Sequence, residues 1–178
     1  LATGLFDVLD GPDGNDASIR PNQLLALSLT HSPVTDQALR NRILAECREQ
    51  LLTPVGLRTL APSDPRYRGR YVGGVAERDG GYHQGPAWTW LLGHYALAEY
   101  RVDGDAAAAQ ARLEALAGQL NEAVIGQLSE LHDGDAPHWP RGAPAQAWSV
   151  ACTLEAWWRL QLARGSGATA DPQVEEGA

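Results

Sequence analysis

The sequence predicts an all-α fold of about five helices with two long functional loops. Two observations predict it. Five segments carry helical periodicity while none alternates convincingly as a strand. Two connections, 53–86 and 126–144, are far longer than a compact domain needs and are studded with glycine and proline. Connections beyond about 12–15 residues are uncommon in compact domains and are usually functional when ordered.

The elements follow in order. Asn22–Leu29 opens behind Pro21, a favourable first-turn residue. Thr35–Leu52 places Leu39, Ile43, Cys47 and Leu51 four apart on one face, so Cys47 reads as a small buried apolar residue. Ala87–Val102 is apolar nearly all round, with Trp88, Trp90, Leu91, Leu92, Tyr95 and Leu97, and calls for protein on both sides. Asp105–Ile125 is rich in Ala, Leu, Gln and Glu, with Asp105 as its N-cap. Ala145–Ala163 stripes Ala147, Val150, Ala151, Leu154 and Trp158. Residues 1–164 are expected to be folded and 165–178, small, polar and acidic, to be a disordered tail.

Composition narrows the function. The 178 residues hold 14 basic side chains, every one an arginine, against 22 acidic ones, for a net charge of −8. Without lysine there is no Schiff-base nucleophile and no phosphate-loop lysine. The acidic balance argues against a nucleic-acid or anionic-membrane partner. No apolar run reaches the ~18 residues that span a bilayer. The leading segment holds Asp7, Asp10, Asp13 and Asp16 with no basic stretch, unlike a signal peptide. Two cysteines, Cys47 and Cys152, give neither a disulfide framework nor a metal pattern, so the expected setting is reduced and cytoplasmic. Six Trp and five Tyr stand against one Phe. Rings with a polar handle suit polar ligands that have C–H faces, such as sugars, although composition alone favours a core role for Trp.

Four stretches concentrate polar groups beside glycine, proline and aromatics: 18–23, 78–90, 129–135 and 137–149. Amides, a guanidinium and imidazoles interleaved with Trp and Tyr are what a polyol site requires. The two histidine–aspartate runs lack zinc spacing, and Asp133-Gly134-Asp135 falls short of a calcium loop, so no metal and no cofactor is expected. Asp133 and Asp135 are expected to fix the second loop by accepting backbone N–H bonds or pairing with Arg141.

The runs RPNQLLALSL, LLTPVGLRTL, DPRYRGRYVGG, RDGGYHQGPAWTWLLG and SELHDGDAPHWPRGAPAQAWSV, in that order, resemble the C-terminal part of glycogen debranching enzymes, and more narrowly their amylo-α-1,6-glucosidase module. The resemblance covers about residues 5–160. It implies part of an α/α toroid of six helical hairpins and hydrolysis, with inversion, of α-1,6-linked glucose at branch points of glycogen or limit dextrin. It implies Glu130 as the general base. It implies a sugar site lined by Tyr82, His83, Gln84 and Trp88, with Arg20, Asn22 and Gln23 as a wall, and with His138, Trp139 and Arg141 from the last motif. For Arg20, Asn22 and Gln23 a second reading stays open, a helix cap and salt bridge that order the aspartate-rich leading segment. Pro86, Ala87 and Thr89 depart from the common pattern of the family. Gly-Pro here also occurs in related toroidal glucosidases and trehalases, so another linkage, or a non-catalytic carbohydrate-binding module, remains an alternative.

Five helices are too few for a toroid of twelve, and no motif here matches the family's acid aspartate. The chain is therefore expected to be a C-terminal piece, inactive alone because its general acid lies upstream. An open edge exposing apolar helix faces, such as that of the third helix, is expected to allow a dimer.

Overall fold

Two antiparallel sheets accompany the helices, which corrects the all-α expectation. The computed structural model describes residues 4–166. In chain order these are β1 (Val8–Gly11), β2 (Gly14–Asp16), α1 (Asn22–Ser28), α2 (Gln37–Gln50), β3 (Leu52–Thr53), β4 (Gly56–Arg58), α3 (Val75–Gly81), β5 (Ala87–Trp88), α4 (Trp90–Asp103), α5 (Ala106–Glu114), a 3₁₀ helix (Ala115–Asn121), β6 (Leu131–His132), β7 (Pro140–Arg141) and α6 (Ala147–Ser166). The fold is mixed α and β, and the six described helices do not show the six-hairpin toroid. Strands of two to four residues are too short to display a clear period of two, so an alternating pattern does not reveal them. The expected tail from Gly165 lies outside the described residues, apart from Gly165 and Ser166, which end α6.

The helices start and stop for local reasons. Asp36 caps α2 by accepting the Leu39 amide at 2.6 Å. Asp105 caps α5 by accepting Ala107 and Ala108 at 3.0 and 2.9 Å. Gly104 closes α4 in the left-handed region, φ +78°, donating to the Tyr100 carbonyl. The expected fourth helix loosens into 3₁₀ geometry at Ala115 and ends at Asn121.

The core is built around α4, which packs on α1, α2, α5 and α6. Its near-uniform apolar surface is covered on all sides: Leu91, Leu92, Tyr95, Ala96, Ala98 and Tyr100 are buried. Gly93 lets α6 come close, because a Cβ there would lie 2.3 Å from the Cys152 carbonyl oxygen. Glu99, buried in this setting, is held by Arg48 at 3.0 Å and by Arg112 at 3.0 and 3.1 Å. Cys47 is fully buried, and burial pushes its thiol up to about 12. The apolar face left open belongs to α6 rather than to the third expected helix: Leu154, Trp157, Trp158 and Leu162 are exposed. No described helix is long and apolar enough to cross a membrane.

The five-stranded sheet runs β3-β4-β5-β6-β7, antiparallel throughout. β3, β4 and β5 lie in or beside the first long loop, and β6 and β7 in the second. Ala87 pairs with His132 and Trp88 with Leu131, which fastens one loop to the other.

Candidate active site

Glu130 lies one residue before β6, and the second loop folds back on it. Its amide donates to the Ala143 carbonyl at 2.9 Å, and the Ala143 amide returns a bond to Glu130 Oε2 at 2.8 Å. The Tyr82 hydroxyl, from the first loop, donates to Glu130 Oε1. Gly142, φ +66°, runs against the carboxylate so closely that a Cβ would lie 2.3 Å from Oε2. One carboxylate is thus gripped by both loops.

Around it stands a cluster of rings. Tyr82 meets Trp88 edge-on at 4.8 Å and Tyr71 at 5.7 Å. His83 stacks on Trp88 at 5.3 Å with an interplanar angle of 15°. Trp148, at the start of α6, continues the cluster from Trp88 to Trp90. Trp88 is only 3% exposed, so it backs the cluster, while His83 presents an exposed ring. Burial and the nearby Arg20 charge push the His83 imidazole below its usual range. At neutral pH the ring is uncharged and can both donate and accept, as a hydroxyl-rich ligand requires. Burial, then the bond to Glu130, pushes the Tyr82 phenol well up, so it stays a protonated donor.

Arg20 holds this loop from behind. Its guanidinium donates to the His83 carbonyl at 2.7 Å, the Thr59 carbonyl at 3.0 Å and Gln84 Oε1 at 3.1 Å, and pairs with Asp7 at 3.4 Å. Asn22 donates to the same Asp7 at 2.6 Å. Gln23, buried, donates to Glu46 at 2.8 Å and accepts the Leu5 amide at 3.0 Å. These bonds fit the salt-bridge part of the second reading, an ordered leading segment, but not its helix cap: Pro21 stands at the start of α1 and no side chain caps it. In Arg20 that order reaches forward to the backbone of His83 and the side chain of Gln84.

The last motif divides. Arg141 grips Asp133 with two bonds, 3.1 and 2.9 Å, and the Tyr71 amide donates to Asp133 at 2.8 Å. Asp135 accepts the Tyr67 hydroxyl at 2.9 Å. Both aspartates therefore tie the second loop down, and Asp133 does so through Arg141, as the sequence suggested. His138 turns inward, its Nδ1 3.0 Å from the Asp133 carbonyl oxygen. Trp139 is 61% exposed on the outer surface of the loop. His132 is buried beneath, Nδ1 3.3 Å from the Thr89 hydroxyl, and burial pushes it down to about 4.

A polar cleft of about 630 Å³ is lined by Tyr71, Val72, Gly73, Arg78, Arg141 and Gly142, and Gly142 is the residue that links it to Glu130. Residue reading did not single out Tyr71, Arg78 or Gly142 as site residues. Tyr71 and Gly142 lie inside quoted motifs, but a tyrosine and a glycine carry no chemical signature until the fold sets Tyr71 on Tyr82 and Gly142 against Glu130. Among the described residues no group of three or more metal-ligating side chains converges.

The profile of the amylo-alpha-1,6-glucosidase family matches residues 2–155. The chain belongs to that family. It is also 31% identical, over 176 aligned residues and 84% of its length, to the glycogen debranching enzyme of Saccharomyces cerevisiae strain S288c. It spans 11% of that relative's length. Membership gives a context to the pairing of loops just described. The family match runs through both of them and stops inside α6, so Glu130, its ring cluster and its cleft all lie within the shared region.

Proposed function

We propose that the chain supplies the general base and one wall of the sugar site of a glucosidase that hydrolyses α-1,6-glucosidic branch points of glycogen or limit dextrin with inversion. The observation that carries this reading is the three-sided hold on Glu130, by the Tyr82 hydroxyl, the Ala143 amide and the close pass of Gly142, at the edge of a polar cleft. An inverting glycosidase needs a fixed carboxylate that takes a proton from the attacking water, on the face of the sugar away from the leaving group. It also needs a carboxylic acid roughly 6.5–9.5 Å away to protonate the leaving oxygen. The residues lining the cleft include no carboxylate, Glu130 reaching it only past Gly142, and because no motif here matches the family's acid aspartate we assign the acid to a region of the whole protein outside these 178 residues. His83, Gln84 and Trp139 offer the hydroxyl partners and the exposed ring for a glucan, and the enzyme works in the cytoplasm. The bare face of α6 is the surface for dimerisation, which light scattering reads as a doubled mass.

Limit dextrin tests the assignment. The natural polypeptide that carries these residues releases glucose from it, and Glu130→Gln, which keeps shape and removes the base, lowers kcat by about 10²–10⁴-fold. The isolated 178 residues release none. Turnover unchanged in E130Q removes Glu130 as base. Turnover on trehalose and not on dextrin points to another linkage. Because the cleft lining lacks an acid, a glucan-binding module is the second reading, and retained dextrin binding with no hydrolysis by the natural polypeptide selects it.

A further inference from the structure

We propose that Tyr82 is a positioning residue for the base rather than a sugar ligand: its hydroxyl fixes Glu130 Oε1 and thereby turns Oε2 toward the cleft along Gly142. The inference rests on Glu130 being the base.

Tyr82 is unusually well held for a loop residue. It follows directly on α3, its ring is set edge-on to Trp88 at 71° and to His83 at 62°, and Tyr71 packs on it. Its carbonyl accepts Trp88 Nε1 at 3.2 Å, so backbone and ring are fixed together. The hydroxyl on that ring has Glu130 Oε1 as its partner. The Ala143 amide takes the other oxygen. Two donors, one per oxygen and one per loop, determine the plane of the carboxylate. An ionised carboxylate has about four acceptor sites, so each oxygen keeps one after these bonds. Besides the Ala143 amide, Gly142 runs against Oε2, and Gly142 also lines the cleft; a side chain there would lie on Oε2 and close that approach. A water there can give its proton to Oε2 without breaking either bond.

The arrangement also explains why a tyrosine is used where phenylalanine would pack the same cluster. The phenol stays protonated well above neutral pH, so the donor is present wherever the carboxylate is ionised. Neighbouring His83 and Gln84 are left as the hydroxyl-binding residues of this loop.

Tyr82→Phe removes one oxygen and keeps the ring contacts. In the natural polypeptide assayed on limit dextrin, Y82F lowers kcat by about 10²-fold, the cost of a base misplaced by about 1 Å, with KM changed by less than about 2-fold. In the E130Q background the same change costs less than about 3-fold, because residues that act as a unit are not additive. Tyr82→His, which keeps a ring and an N–H donor, recovers part of the lost kcat and serves if the phenylalanine variant does not fold. A higher KM at unchanged kcat makes Tyr82 a sugar ligand and overturns the proposal. So does full activity of Y82F while E130Q is dead, an outcome that leaves the base reading standing. Full activity of E130Q fails the base reading itself, and this proposal with it.

Discussion

The two long loops do different work. Loop 53–86 is a scaffold of rings: Tyr82 and His83 pack on Trp88, Tyr71 packs on Tyr82, and Arg20 holds the His83 backbone from outside. Loop 126–144 is a scaffold of charge: Glu130, Asp133, Asp135 and Arg141, with Asp133 and Arg141 locking the loop on itself. One loop shapes an apolar surface and the other places a carboxylate. They meet at the β5–β6 pairing, at the Asp133 bond to the Tyr71 amide, at the Asp135 bond to Tyr67 and at the Tyr82–Glu130 bond. The difference teaches that neither loop forms the site alone. The donor to Glu130 Oε1 comes from one loop and the carboxylate from the other.

That division can be broken most severely from the charged side. Arg141→Ala leaves Asp133, whose side chain is 4% exposed, without its ion-pair partner, and should cost about 3–5 kcal/mol of stability. Chemical denaturation measures it. A change at the exposed Trp139 of the same loop should move stability by less than about 0.5 kcal/mol because the indole is mostly in solvent, while weakening dextrin binding. Between these extremes lies Gly142→Ala. The new Cβ meets Glu130 Oε2 and the backbone is left-handed there, so kcat should fall by about 10²-fold while a dextrin still binds through the rings. Equal losses in both would deny the separation of roles.

A pH series sharpens the comparison more gently. His132, buried where the two loops pair, has its folded pKa pushed down from 6.5 to about 4 by burial, with the nearby His138 adding to the shift. The unfolded chain binds the proton more readily, so the neutral ring's contribution is fully present above about pH 6.5 and is lost as pH falls toward 4. His83 and His94 are shifted in the same direction. His132→Asn should therefore lose less stability than the parent across that window, measured by denaturant midpoints at successive pH values.

The helices were legible because each buries a stripe that repeats every turn: Leu39, Ile43 and Cys47 on α2, and the encircling apolar surface of α4. Asp105 as a cap was legible because a short carboxylate before an alanine run has one common use. The sheet was not, since Leu57, Trp88 and Leu131 pair through backbone atoms that carry no residue code. Nor was α3, whose Val75-Ala76-Glu77-Arg78-Asp79-Gly80-Gly81 has no apolar period and ends in two glycines. Within the site, Glu130 and the Tyr82–Trp88 stretch came from the resemblance of whole motifs. Composition alone marks neither of them. Tyr71 and Gly142 escaped notice because what matters in them is where a backbone runs.

The ladder from β3 to β7 has a dynamic consequence. Strands of two or three residues are far too short to stand alone, and each exists only while its neighbour does. The backbone amides of both loops should therefore exchange with solvent as one cooperative unit, with similar protection from Leu57 through Arg141 along the ladder. The two halves of the site then open like a single leaf, or stay shut together.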